Sequence, residues 1–155
     1  MIKKLICLST LSLAIAAINL PAIAQGQEIQ YNQSAPRISS TSGLPDRHYI
    51  SLYTGEQPLS SITIRPSEFM ELGENIQVTD EAGETIEAVV SKEEDMVRIN
   101  FAQPIPPATT LEIAMMDVGF TPPMPAGQVF HYQVSGNHVG FMREIPYGLA
   151  RVQVF

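Results

Sequence analysis

The feature that most constrains this chain is an apolar–polar alternation with a period of two, which recurs between residues 48 and 154. Side chains that alternate in this way point to opposite faces of an extended strand, whereas an amphipathic helix needs a period of 3.6. The alternating runs cover residues 48–53, 61–65, 75–79, 85–90, 96–101, 110–115, 129–134 and 151–154. Seven to eight short strands at this spacing predict an all-β, immunoglobulin-like antiparallel β-sandwich with at most one short helix.

Turn residues predict how the strands are connected. Asp80–Glu84 and Lys92–Asp95 have the composition of hairpin loops. The proline-rich segments 104–107 and 122–125 predict connections outside central strands, because Pro cannot donate a hydrogen bond to a sheet ladder. The one helical candidate is Ser67–Leu72, because its first residue could cap a helix.

The first 24 residues have the three consecutive parts of a secretory signal peptide. Lys3 and Lys4 precede an apolar stretch at Leu5–Leu20, and Ala22 and Ala24 form an A-x-A cleavage site. The apolar stretch is sixteen residues long and carries polar interruptions, whereas a membrane span needs about 20 apolar residues. We therefore expect cleavage after Ala24 and no membrane span in the mature chain, with an uncleaved anchor as the alternative.

Cleavage would leave 131 of the 155 residues, and these divide into two parts. Residues 25–45 are rich in Gln, Asn, Ser, Thr, Pro and Gly. They predict a flexible linker, because so few apolar side chains cannot offset the entropy lost on ordering. Residues 46–155 then form the β-sandwich domain. The only cysteine is removed with residues 1–24, so the mature chain has no disulfide and no thiol nucleophile.

The charge of the chain argues against nucleic acid as a partner. The mature chain would hold seven basic and sixteen acidic residues, a net charge of −9, and binding to a phosphate backbone needs Lys and Arg. Ten of the acidic residues lie between Glu68 and Asp95, where Lys92 is the only base. Solvated loops are the first interpretation, and a weak Ca²⁺ site or a surface for a basic partner are the alternatives. The residues of these alternatives are Asp80, Glu81, Glu84, Glu93, Glu94 and Asp95.

Several strand and turn motifs resemble those of a known protein family. These motifs are Pro58–Ile64, Ile76–Asp80 with Gly83, Val97–Phe101 with 104–106, Gly127 with Phe130–Val134, and Gly148–Val154. Through them, residues 48–155 resemble the exported cyanobacterial family called domain of unknown function 2808. The chain departs from the family at Ala108, where the family usually has Gly after the proline-rich turn. The family has no agreed activity, so the resemblance implies only the location, which is the periplasm, the thylakoid lumen or the cell surface.

Methionine and histidine side chains suggest a metal as an alternative ligand. Met116, Met124, His131 and His138 could hold copper, because a thioether suits Cu(I) and an imidazole suits either oxidation state. The sequence has no M-x-x-M or H-x-H pair, and methionine commonly fills gaps in a core. No cofactor is therefore predicted, and a copper carrier remains an alternative function.

Common enzyme motifs are absent from the sequence. It contains no G-x-S-x-G, no H-E-x-x-H and no G-x-x-x-x-G-K, and none of its three histidines has a recognisable triad context. We therefore predict a non-enzymatic module that binds another protein of the cell envelope or has a structural role there. The alternatives are the copper carrier and a small hydrolase with paired carboxylates, because such carboxylates need no fixed spacing.

Overall fold

The alternating runs form two antiparallel β-sheets that enclose one apolar core. The computed structural model describes residues 34–121 and 128–154. The strands are β1 Arg37–Leu44, β2 Arg47–Tyr53, β3 Leu59–Pro66, β4 Met70–Leu72, β5 Ile76–Asp80, β6 Ala88–Glu93, β7 Met96–Ile105, β8 Thr110–Met115, β9 Val118–Phe120, β10 Val129–His138 and β11 Ile145–Gln153. The first sheet has the order β1-β2-β8-β5, the second has the order β11-β10-β3-β7-β6, and β4 pairs with β9. The predicted class, an immunoglobulin-like β-sandwich, is confirmed.

The core lies between the two sheets and takes alternate residues from each strand. Ile50 and Ile113 from the first sheet, and Ile62, Ile64 and Ile99 from the second, are all 0% exposed. Burial of a side chain of this size stabilises the fold by about 2 kcal/mol. The period of two therefore predicted the inward face of these strands correctly.

The first sheet begins earlier than the sequence predicts. Residues 37–44 fall in the expected linker, yet they form β1 and pair antiparallel with β2. The strand is rich in Ser, Thr and Gly, so it lacks an apolar alternation, and its pairing with β2 supplies the order instead. The boundary expected at residue 46 is therefore wrong by one strand. Residues 1–24, with the cleavage site at Ala22 and Ala24, and residues 25–33 lie outside the described residues.

One side of the sandwich is closed where the edge strand β1 meets the edge strand β11. Gly43 lies opposite Val154 in a parallel bridge, and the Thr41 hydroxyl donates a hydrogen bond to the Arg151 carbonyl. A Cβ atom at Gly43 would overlap the side chain of Val152. Glycine therefore permits the close approach that joins the two sheets on this side.

On the other side, residues 84–87 cross from the first sheet to the second. The Asp80 N–H donates to the Glu84 carbonyl at 3.0 Å, and the Ile86 N–H donates to the Val78 carbonyl at 2.8 Å. These bonds occupy the outer edge of β5. The strand predicted at 85–90 consequently begins only at Ala88, where β6 joins the second sheet.

The prediction of a helix at Ser67–Leu72 is wrong, because the structure has a turn there followed by the short strand β4. The Met70 N–H donates to the Ser67 carbonyl at 3.0 Å in a turn, and the next residues pair with β9 as β4. This pairing leaves Met70 only 6% and Leu72 only 2% exposed. Tertiary burial has therefore outweighed the local capping signal. Within the described residues, no helix long and apolar enough to cross a bilayer is present.

Pro104 lies inside β7, although the sequence predicts a connection there. β6 pairs with β7 only as far as Phe101, and the pairing of β7 with β3 is irregular between Leu59 and Ser61. Pro104 is therefore placed where the ladder does not need its missing N–H. The second proline-rich connection, at 122–125, lies outside the described residues.

Candidate functional site

The connections between strands lie at two ends of the sandwich, which we call the near end and the far end. The near end comprises residues 54–58, 81–87, 106–109 and 139–144. The far end comprises residues 45–46, 67–75, 94–95 and 116–121. The two predicted acidic clusters lie at opposite ends, because the first follows β5 and the second joins β6 to β7.

A cleft of about 300 Å³ at the far end separates the turn after β3 from the hairpin between β6 and β7. Its apolar lining includes Met70 and Leu72, which are themselves buried. Its charged lining consists of Glu68, Glu71, Lys92, Glu93, Glu94 and Asp95. This far-end cleft therefore combines an acidic rim with an apolar floor.

Two of the rim carboxylates already have basic partners. Arg65 Nε lies 2.9 Å from Asp95 Oδ2, and Arg98 Nε lies 3.5 Å from Glu93 Oε1. Arg98 Nη1 also lies 3.0 Å from Glu144 Oε1, so one guanidinium serves two carboxylates. Within the described part of the chain, three rim carboxylates form no ion pair, and these are Glu68, Glu71 and Glu94.

The near-end acidic loop is organised around its own backbone. Asp80 Oδ1 accepts hydrogen bonds from the N–H groups of Ala82 and Glu84, both at 2.9 Å. Gly83 has a φ of 77°, which the turn requires. Asp80, Glu81 and Glu84 thus lie apart from the far-end acids, whereas a Ca²⁺ site needs six to eight converging oxygens. Across residues 34–121 and 128–154, no group of three His, Asp or Glu side chains could hold a metal ion.

The candidate copper ligands do not form one cluster. His131 and His138 both lie on β10, and seven residues of strand separate them by about 23 Å. Their side chains also point to opposite faces of the sheet, because the two positions differ by seven, an odd number in an alternation of period two, and His131 is half-buried whereas His138 is buried. Met116 follows β8 at the far end, and Met124 lies outside the described residues.

His138 is buried at the near end with both ring nitrogens bonded. Its side chain is 2% exposed. Nδ1 lies 3.0 Å from the Gln57 carbonyl and Nε2 lies 2.8 Å from the Tyr147 hydroxyl. A neutral ring satisfies both contacts when Nδ1–H donates to the carbonyl and the Tyr147 hydroxyl donates to Nε2. His138 therefore has no free nitrogen to offer a metal.

His48 is a buried histidine that the sequence analysis did not single out. Its ring is 0% exposed, its Nδ1 is hydrogen-bonded to the Tyr132 hydroxyl, and the ring of Phe130 lies 5.4 Å away between centroids. Nε2 is buried without a hydrogen-bond partner. Burial lowers the pKa of His48 to about 4. Its place in the inward period with Ile50 and Leu52 was the sequence signal for this burial.

Glu144 is the carboxylate with the most hydrogen-bond donors around it among the described residues. It accepts hydrogen bonds from Thr63 Oγ1 at 2.7 Å, Ser135 Oγ at 2.7 Å and Arg98 Nη1 at 3.0 Å. Burial alone would raise the pKa of Glu144, but the bonds from Ser135 and Thr63 and the charge of Arg98 outweigh it and lower the pKa. A general acid needs the opposite shift, so Glu144 is unsuited to that role in a hydrolase.

Comparison with known proteins finds distant structural neighbours and no family. No family model matches the chain, and no curated protein matches it. The RrgA Jo.In complex is similar at a TM-score of 0.48 and 12% identity, covering 76% of each chain. The collagen-binding subdomain of the Enterococcus faecalis surface protein ACE gives 0.44 and 11%, covering 77% of this chain and 97% of its own. The collagen-binding domain of a Staphylococcus aureus adhesin gives 0.42 and 11%, covering 77% and 95%.

Similarities at this level carry no argument about function. The class of the protein, an immunoglobulin-like β-sandwich, is established by the order and pairing of its strands. The resemblance to domain of unknown function 2808 stays a prediction.

Proposed function

We propose that this chain is an exported, non-enzymatic β-sandwich module that binds another protein of the cell envelope through the far-end cleft. The observation that carries the proposal is the cleft itself, in which Glu68, Glu71 and Glu94 have no basic partner among the described residues and line the same concavity as buried Met70 and Leu72. Export is supported by the signal-peptide pattern of residues 1–24.

The chemistry of the cleft favours a basic segment as the bound element. Lys and Arg side chains carry their charge at the end of an apolar stem. The stems can pack against Met70 and Leu72 while the charged heads reach the carboxylates of Glu68, Glu71 and Glu94. Complementary charge of this kind determines which partner is selected and how fast it associates.

The other polar sites support a binding role over catalysis. His138 has both nitrogens bonded, and His48 is enclosed by aromatic rings with its hydroxyl partner. The pKa of Glu144 is lowered by the hydroxyl groups of Ser135 and Thr63 and by the charge of Arg98, against the effect of its burial. These described groups are therefore engaged in contacts within the fold.

The proposal is tested by photo-crosslinking in the cells that produce the protein. A photoreactive amino acid replaces Glu94 at the cleft, or Glu81 at the near end as a matched control, because both side chains are exposed and acidic. We expect one partner protein to crosslink from position 94 and not from position 81. Combining the crosslinker at 94 with Glu68→Lys and Glu71→Lys should reduce that product at least tenfold, because both changes reverse the charge of the rim.

Two results would overturn the proposal. One is an equal yield of the same product from positions 94 and 81, which would place contact away from the cleft. The other is an unchanged yield after the charge reversals, provided that urea unfolding shows the variant to be folded.

A further inference from the structure

We propose that the free edge of β6 accepts an extended, basic segment of the partner as an additional strand of the second sheet. The inference rests on the proposed function, because it describes how the partner is held next to the far-end cleft.

The hydrogen-bond register of β6 shows which backbone groups are available. The Ala102 N–H donates to the Glu87 carbonyl at 3.0 Å, and the same register pairs Ala88 with Phe101. Hydrogen-bonded pairs alternate along an antiparallel ladder. Residues 89, 91 and 93 therefore bond to β7, and the N–H and C=O groups of residues 88, 90 and 92 point away from it. Such a row is a template for a further strand.

The other edges of the two sheets are already occupied in the described chain. β1 and β11 meet at the bridge between Gly43 and Val154. The outer edge of β5 bonds to residues 84–86 through the Glu84 carbonyl and the Ile86 N–H. β6 is the last strand of the second sheet and has no neighbour beyond it among residues 34–121 and 128–154.

The side chains along β6 indicate what the added strand would carry. Glu87, Val89, Ser91 and Glu93 share the outer face of the sheet, because they alternate with half-buried Ala88 and Val90. Val89 is 68% exposed, which is unusual for an unpaired edge and leaves apolar surface to cover. Directly opposed side chains interact across a strand pair. The partner should therefore place a basic residue opposite each Glu and an apolar residue opposite Val89.

The same charges argue against a second copy of this chain as the occupant. Two β6 strands paired antiparallel about Val90 would place Glu87 opposite Glu93 twice, and opposed like charges destabilise a strand pair. Arg98 does not remove this repulsion, because it also serves Glu144. Glu93 further lines the far-end cleft, so the part of an added strand that lies opposite Glu93 would be next to the cleft.

The test uses the end-capped heptapeptide Arg-Thr-Val-Thr-Val-Thr-Arg and hydrogen exchange of the folded domain measured by NMR. Binding should slow exchange of the Ala88, Val90 and Lys92 amides at least tenfold, because these N–H groups become bonded. The Val89 and Ser91 amides already bond to β7 and should change less. The same peptide with Glu in place of both Arg residues should bind at least tenfold more weakly.

Ala88→Pro removes one outward N–H without removing a bond to β7, and Pro is tolerated at the first residue of a strand. It should raise the dissociation constant of the peptide at least tenfold, whereas the control Ala88→Val keeps the N–H and should leave it within twofold. If Ala88→Pro fails to fold, the peptide N-methylated at alternate residues tests the same bonds on the unaltered protein and should bind at least tenfold more weakly.

Three results would overturn the inference. They are unchanged exchange at Ala88, Val90 and Lys92 with bound peptide, equal affinity for the N-methylated peptide, and no binding of the basic peptide. None of them contradicts the proposed function, which depends on the crosslink from position 94 and its loss on charge reversal in the cleft.

Discussion

Each end of the sandwich contains a buried histidine that is hydrogen-bonded to a tyrosine. The two histidines differ in how many of their ring nitrogens have a hydrogen-bond partner. At the near end, His138 has a partner on each ring nitrogen, Tyr147 and the Gln57 carbonyl. At the far end, His48 is bonded to Tyr132 through one nitrogen, and its Nε2 has no partner. Of the two pairs, only the far-end pair leaves one of its own polar atoms buried without a hydrogen-bond partner, and such an atom carries a desolvation cost.

One strand connects the two pairs. β10 carries Tyr132 and His138 on its inward face. Tyr132 bonds across the core to β2 of the first sheet, and His138 bonds to Tyr147 on the neighbouring strand β11. The far-end pair therefore joins the two sheets, whereas the near-end pair lies within one sheet, so loss of the far-end pair should have the larger effect.

The largest expected effect is acid destabilisation at the far end. The pKa of His48 falls from 6.5 to about 4 on folding, so the unfolded chain takes up the proton first. Above pH 6.5 His48 is neutral in both the folded and the unfolded chain, so its burial carries no proton-linked cost. As the pH falls from 6.5 towards 4, only the unfolded chain is protonated at this residue, and the unfolding free energy decreases. Between pH 7 and pH 4.5 this histidine should cost the folded state about 2–3 kcal/mol. Urea unfolding at the two pH values measures the loss.

The double variant His48→Phe, Tyr132→Phe isolates this contribution, because it removes both polar partners together. Its unfolding free energy should fall less than that of the wild type over the same pH interval, by about 2–3 kcal/mol. His131→Gln is the matched control, since His131 is only half-buried on the outer face. Equal pH dependence in the wild type and the double variant would contradict the assignment to His48.

The second effect is expected when the near-end hydrogen bond is removed, because His138 would then have one unbonded ring nitrogen, as His48 has. Tyr147→Phe removes the hydroxyl that donates to His138 Nε2 and leaves that nitrogen buried without a partner. The change should cost about 1–2 kcal/mol of unfolding free energy at pH 7, measured by urea or thermal unfolding. Tyr49→Phe is the control, because Tyr49 is half-exposed. A cost no larger than that of the control would show that the near-end bond does not contribute.

The smallest effect concerns backbone strain at the near end. Ala108 has a φ of 57°, and it is the only residue other than Gly with a positive φ among the described residues. Ala108→Gly should raise the unfolding free energy by about 1 kcal/mol, because Gly adopts this conformation without a Cβ penalty. Gly83→Ala tests the reverse, since Gly83 has a φ of 77° and open space around it. It should cost about the same amount; a neutral result for both would remove strain as the explanation.

The sequence predicted the strands and their inward residues better than it predicted which side chains would meet in the fold. Alternation located the inward residues Ile62 and Ile64 correctly, because period and burial have the same physical origin. It missed β1, whose polar residues are ordered by pairing with β2. The sequence also located the acidic residues but did not show which of them form ion pairs. Arg65 and Asp95, for example, are thirty positions apart and meet only because the sheet register brings their strands together.

The bridge between Gly43 and Val154 has a consequence for stoichiometry. A sheet with two open edges can add partners on both sides and so grow into a filament. Here the contact between β1 and β11 occupies one edge of each sheet, and the crossing segment 84–87 occupies a third edge through its bonds to β5. Among the described residues, β6 is then the one edge of these two sheets left open, so growth by strand addition there would stop after one event per molecule and give a bounded complex.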